Sequence, residues 1–156
     1  MFRDMRRKNR QLSTDECIEI LENEPRGVLA VLGDYDYPYT VPMSHVYVDG
    51  KIYFHGAKTG HKNDAIKKYD KVSYCVIDKG VKASDSWWYT FKSVVAFGRI
   101  KTLTDRDEKI DKLTHLGDKF FPTHEETVDE IERLLDKTEV FEITIDHLSG
   151  KLVEEK

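Results

Sequence analysis

The stretch KIYFHGAKTGHKNDAI, residues 51–66, changes periodicity midway and gathers Gly56, Lys58, Gly60, His61 and Lys62 at the change. Alternation over its first half puts Tyr53 and His55 on one face of a strand and Ile52 and Phe54 on the other. Glycines after the strand let the backbone come close to a bound group. A helix beginning near Lys62 leaves its first amides without intrahelical partners and turns its positive dipole end toward the loop. An anion there would meet those amides together with Lys62, His61 and Lys58, so the pattern suits a phosphate cradle, with a plain solvated turn as the alternative.

Other chemistries have weaker support. His45, His55 and His61 could be imagined as metal ligands, but no acidic or thiol ligand has the expected spacing and HExxH is absent. A Walker A loop, a GxGxxG fingerprint and a GxSxG elbow are also missing. Trp87-Trp88 reads equally as a stacking platform for a planar ligand or as core packing in a loop. Cys17 and Cys75, in helix-like and strand-like patterns without CxxC spacing, read as buried free thiols.

The elements that position these residues follow from periodicity. Ser13 with Glu16 forms a capping-box pattern before an apolar stripe, predicting a helix over 14–24. GVLAVLG reads as a buried strand and DYDYPY as a turn. TVPMSHVYV, Asp49-Gly50 and KIYFHGA read as an antiparallel hairpin, because Asp-Gly tolerates the positive φ of a type I′ turn. KVSYCVID, WWYTFKSVVAFGRIKTL and EVFEITIDHL are three further strands, the second of them long. A short helix is expected near 62–69, and DRDEKIDKLTHLGDKFF and TVDEIERLLDK read as two helices separated at Pro122. The longest irregular loop is KGVKASDSWW, residues 79–88. The sum is an α+β chain, mainly β, built as a six-stranded antiparallel sheet or barrel with flanking helices.

Composition bounds the function. The 156 residues suit one domain, with a basic arm over 1–12, a body over 13–150 and a tail over 151–156. With 25 Lys and Arg against 29 Asp and Glu, the formal net charge of −4 argues against a general nucleic-acid binder, although the arm MFRDMRRKNR is locally basic. No apolar run approaches the roughly 20 residues that span a bilayer, and the arm lacks the apolar core of a signal peptide, so a cytoplasmic protein is expected.

Taken together, TVPMSHVY, IYFHGAKTGHK, YTFKSVVAFGRIK, FFPTH and ITIDHLSGK, in that order and at those separations, resemble the FMN-binding split β-barrels related to pyridoxamine 5′-phosphate oxidase. The resemblance covers about 12–150 and is nearest the nitroimidazole-resistance branch. It implies a homodimer with FMN at the subunit interface. The isoalloxazine would run along Thr40, Val41, Pro42, Met43, Ser44 and His45. The phosphate would be held by His61 and Lys62, with His55 and Gly56 ending the strand before them. Lys92 and Ser93 would reach the same flavin from the other subunit. His55 matches a histidine that faces substrate in the nitroimidazole-resistance proteins, which makes it the catalytic candidate.

The chain also departs from the oxidase proper. That enzyme has basic residues where Thr40 and His45 stand, an arginine in place of His61, and an arginine-rich C-terminal segment where this chain reads SGKLVEEK. The resemblance therefore implies an FMN-dependent oxidoreductase passing electrons to a small, planar, electron-poor acceptor of the nitroaromatic kind, and not pyridoxamine phosphate oxidation. The rival is a non-catalytic flavin or haem carrier or redox sensor, in which His45 or His55 could serve as an axial ligand.

Overall fold

A computed structural model describes all 156 residues, Met1–Lys156. The elements in chain order are α1 (Thr14–Asn23), β1 (Arg26–Leu32), β2 (Pro38–Ser44), β3 (Val46–Val48), β4 (Lys51–Ala57), α2 (His61–Lys68), β5 (Lys71–Ile77), β6 (Val81–Lys82), β7 (Tyr89–Thr102), α3 (Arg106–Phe120), α4 (His124–Leu134) and β8 (Thr138–Glu154). One antiparallel sheet runs β2-β1-β5-β7-β8-β4-β3, with β6 attached to β7, and it curls into the expected split barrel.

Local chemistry explains the ends of these elements. Ser13 Oγ accepts from the Glu16 amide at 3.2 Å and the Glu16 carboxylate accepts from the Ser13 amide at 2.9 Å, which completes the capping box that starts α1. Asp49 and Gly50 take φ of 48° and 81°, the positive values that close the β3–β4 hairpin. Asp105 and Thr123 cap α3 and α4 through the amides of Glu108 and Glu126.

Two cores lie on opposite faces of β4, as its alternation demands. Ile52 and Phe54 point into the barrel with Leu29, Tyr74, Val94 and Phe141. Tyr53 points the other way, under the α3–α4 hairpin, beside Leu113, Leu116 and Val140. The second core contains a buried carboxylate. Glu142, 1% exposed, accepts from Tyr53 Oη at 2.9 Å and Lys51 Nζ at 3.0 Å, with Lys101 Nζ at 3.5 Å. Burial alone would raise its pKa, but the bonds from Lys51 and Tyr53 bring it below the usual carboxylate value. Where α3 crosses α4, Gly117 meets Thr127 so closely that a Cβ on it would lie 2.4 Å from the threonine methyl.

The structure corrects several sequence expectations. The strand expected over TVPMSHVYV breaks at His45, so β2 pairs with β1 while only β3 pairs with β4. The short β6 inside the 79–88 loop adds one more strand, making eight in place of six. The segment 151–154 belongs to β8, whose pairing with β7 runs on to Glu154, and the arm is fastened to it by an Arg10–Glu154 ion pair at 2.8 Å. Long β7 supplies ladder partners all the way, so β8 does not stop at residue 150.

His45 causes the break, and it is itself a correction. It is fully buried, with its amide donating to Pro25 O at 3.2 Å and its carbonyl accepting from Lys119 Nζ at 2.9 Å in place of ladder partners on β4. Its ring lies 2.8 Å from Leu21 O through Nε2 and 2.9 Å from Tyr74 Oη through Nδ1. A carbonyl can only accept, so Nε2 carries the proton, and Nδ1 and Met43 O, each 2.9 Å from Tyr74 Oη, share the single proton of that hydroxyl. Neither ring nitrogen is left for a flavin or a haem iron. Burial, with the Lys119 charge adding to it, lowers the His45 pKa from 6.5 to about 4.

Two predictions follow from these contacts. Because the folded state lowers the His45 pKa, stability from this group is complete above pH 6.5 and is lost as pH falls through about 4. Urea denaturation between those pH values should show a decline on the order of 3 kcal/mol from this histidine, and His45→Gln should flatten that slope. Gly117→Ala gains about 1 kcal/mol of helix propensity but overpacks a stiff β-branched neighbour, so a net loss of roughly 1–2 kcal/mol is expected. Thr127→Ser, which removes the methyl, should restore most of it in the same measurement.

Candidate functional site

The hairpin closes over only three rungs, from Val48–Lys51 to Val46–Tyr53, and then its arms part. On one side of the opening, β2 has β1 as its only ladder neighbour, so the peptide groups on its outer edge from Thr40 to Ser44 face away from the sheet. On the other side, His55, Gly56 and Ala57 pair with β8 alone. The sequence-predicted residues Thr40, Val41, Pro42, Met43, Ser44, His55 and Gly56 therefore border one split. Pro42 has no amide hydrogen, so the β2 edge offers mainly acceptors at that point.

The basic residues of the opening stretch lie at one end of this split. Gly60, at φ 136°, starts α2 without any side-chain cap, and glycine is the residue that tolerates this backbone. His61 stacks on Tyr39 at 4.2 Å and its Nε2 accepts from the Asp34 amide at 3.1 Å, which ties α2 to the start of β2. Lys62 folds back over the end of β4, its Nζ 4.3 Å from the centre of the Phe141 ring and against the bare Cα of Gly56. Burial is the one cause that lowers its pKa, with no carboxylate acting against it. A half-buried ammonium without an anionic partner, next to uncapped helix amides, is an arrangement an anion would stabilise. The Lys58 side chain is exposed beside it.

His55, next to Gly56, lies on the other face of the same strand end, exposed at the mouth of a cavity of about 300 Å³ beneath the α3–α4 hairpin. Ser44 shares that mouth, and Leu113, Leu116, Ile131 and Leu134 line the interior. The His55 pKa is lowered, first by the surrounding protein and then by Lys62, against an opposing pull from Glu130. Its imidazole is therefore mainly neutral at pH 7, with one N–H to donate and one nitrogen to accept. The alternation that puts Tyr53 and His55 on one face thus leads from a filled core to an unfilled pocket.

Lys92 and Ser93 are not brought to this split within one protomer. Lys92 pairs with Leu152, whereas His55 pairs with Val140, and twelve residues of β8 between those rungs amount to roughly 40 Å of strand. Lys92 Nζ meets Glu16 at 3.3 Å instead. Trp87, 70% exposed, is not core, and Trp88 lies under Lys156. Cys17 is buried, Cys75 half-buried, and both are free. His45, His55 and His61 have three separate environments, and no group of three or more His, Cys, Asp or Glu side chains converges anywhere. No helix is long and apolar enough to cross a membrane. Sequence reasoning missed the cavity-lining residues of α3 and α4, whose only signal was a helical apolar stripe shared with ordinary core.

The family model described as pyridoxamine 5′-phosphate oxidase matches residues 13–152. Among solved structures, a FAD-binding protein from Mesorhizobium loti is 28% identical, with a TM-score of 0.68 over 92% of this chain and 97% of that one. A candidate 5-nitroimidazole antibiotic resistance protein from Bacteroides thetaiotaomicron is 16% identical, with a TM-score of 0.76 over 92% of this chain and 87% of that one. A flavocytochrome from Azotobacter vinelandii is 20% identical, with a TM-score of 0.76 over 96% and 72% of the two chains. At those two identities the likeness is one of fold. A search of the curated proteins finds no match.

Proposed function

The chain belongs to the pyridoxamine 5′-phosphate oxidase family, and on that premise we propose that it is a flavin-binding redox protein, an FMN-dependent oxidoreductase passing electrons to a small electron-poor acceptor of the nitroaromatic kind. The observation that carries this reading is Lys62, a half-buried cation with no carboxylate partner beside the uncapped start of α2. A flavin phosphate would supply the missing anion. The open edge of β2 from Thr40 to Ser44, roughly 17 Å long, would meet the polar rim of the ring. The likeness to the FAD-binding protein of Mesorhizobium loti supports a flavin. The terminal phosphate cradle favours FMN.

A bound flavin supplies the redox chemistry. The chain binds it, orients it and places His55 where a hydrogen bond or proton can reach an acceptor on the ring. Neutral His55 donates through one nitrogen; burial and Lys62 favour that neutral form, and Glu130 acts against them. The second subunit is part of this reading. Lys92 and Ser93 can join the flavin only from another copy, and the outward face of β1, β5 and β7 carries Val28, Ile77 and Phe97 at 39%, 57% and 41% exposure. Such an apolar face suits a two-fold partner. The carrier or sensor reading has lost one of its axial candidates, since His45 has no free ring nitrogen.

FMN should bind more tightly than riboflavin in a fluorescence titration, and equal affinities would remove the cradle. Loss of a charge-assisted bond is worth about 1.5–3 kcal/mol, so Lys62→Ala should weaken FMN roughly ten- to hundredfold, with Lys62→Glu worse. His55→Ala should leave FMN affinity nearly unchanged but slow reoxidation of pre-reduced flavin by a nitroaromatic about a hundredfold in stopped flow. In the unaltered protein that rate should report a group titrating below pH 6.5, which the variant lacks. An unchanged rate at full occupancy would make His55 structural and favour the carrier.

A further inference from the structure

We propose that the cavity beneath the α3–α4 hairpin is the acceptor's pocket, and that it selects a small neutral molecule with an aromatic or otherwise apolar body over any anion. The proposal rests on the flavin reading for the word acceptor, but the selectivity comes from the cavity alone. Ser44 and His55, from the two sides of the split, form its mouth, so an occupant would lie with one end at the candidate flavin site and its body between the helices.

Size sets the first limit. An apolar cavity of about 150 Å³ accepts benzene, and drug-sized ligands begin near 300 Å³. The volume here, about 300 Å³, has room for one ring with substituents. Natural cores hold few voids larger than a water molecule, so a space of this size opening beside a histidine is not ordinary packing. Phe120 and Phe121, each 38% exposed, add aromatic surface to the wall.

Charge sets the second limit. The only ionisable side chains on the wall are His55 and Glu130. His55 is held toward its neutral form, and Glu130 is engaged by Arg133 at 2.6 Å. A carboxylate or phosphate entering the cavity would give up water, meet no lysine or arginine on the wall and approach a carboxylate, which is costly for an ion. A neutral nitro, carbonyl or quinone oxygen loses far less and finds an imidazole N–H at the mouth. The nearby cations lie outside the cavity wall: Lys62 over Phe141 on the split side, Lys119 with its Nζ on the Glu24 and His45 carbonyls, and Lys109 on the Thr138 carbonyl. Anion binding and acceptor binding are thus separated along one site, with the phosphate at the α2 end and the neutral guest under α3 and α4.

The test uses ¹⁹F NMR of the full-length protein, with and without FMN, titrated with fluorobenzene, 4-fluorobenzoate and 4-fluorophenyl phosphate. Fluorobenzene should shift saturably and bind at least tenfold more tightly than either anion. Ile131→Trp, which fills the cavity, should abolish that shift while leaving FMN affinity within twofold. Nuclear Overhauser contacts from the ring to the methyls of Leu113, Leu116 and Ile131 in the unaltered protein locate the guest even if that variant does not fold. Absence of saturation, equal binding of the anions, or contacts to other methyls overturns the proposal. A protein that takes FMN but no fluorobenzene loses the pocket and keeps the flavin reading. One that takes fluorobenzene at these methyls but no flavin keeps the selectivity and loses the acceptor role.

Discussion

His45 is held by polar contacts to four residues from three parts of the chain: the Leu21 and Pro25 carbonyls, Lys119 and Tyr74. A strand residue normally gives its amide and carbonyl to a ladder. Here both go to other elements, so the chain must leave β4 after three rungs and turn toward β1. The split between β2 and β4 exists because of that diversion. Lys119 is part of the same constraint, because its Nζ also donates to Glu24 O at 2.7 Å, and burial lowers its pKa to about 8. One buried histidine thus joins the C-terminal end of α1, the barrel wall and the end of α3.

The second determinant is that β4 has apolar surroundings on both faces. Its inward residues complete the barrel core, and its outward residues need cover, which α3 and α4 supply. The cover fits tightly where Gly117 meets Thr127, and Tyr53 with Glu142 fills the space farther along the strand. Beyond Tyr53, the residue on that face is His55, and beside it the packing opens into the cavity. The same helical hairpin therefore stabilises the sheet at one end and leaves a pocket at the other.

The electrostatics are divided in a similar way. The chain is acidic overall, at −4, yet the α2 end of the split presents an unpaired ammonium and free helix amides. Glu142 is matched by Lys51 and Lys101, and Lys92 by Glu16, while half-buried Lys119 donates to two backbone carbonyls. Buried charges are ordinarily paired, because desolvation is expensive. Lys62 stands out against that background, and its exception coincides with the position that the family resemblance gives to a phosphate.

Much of this was legible in local sequence, where neighbours along the chain decide the outcome. Asp49-Gly50 specified the hairpin turn, Ser13 and Glu16 the start of α1, and the alternation of residues 52–55 the two faces of β4, since each depends on φ preference or period within a few residues. The residues from His55 to Lys62 could be read as a strand, a glycine turn and a helix start for the same reason. The fate of His45 could not, because TVPMSHVYV has the pattern of one continuous strand and the partners that break it come from positions 21, 25, 74 and 119. Nor could the distance from Lys92 and Ser93 to His55, which the register of a seventeen-residue β8 decides. Short-range stereochemistry thus determined the elements and their faces, whereas the split, the cavity and the isolation of Lys62 arise only when distant segments compete for the same polar atoms and the same buried space.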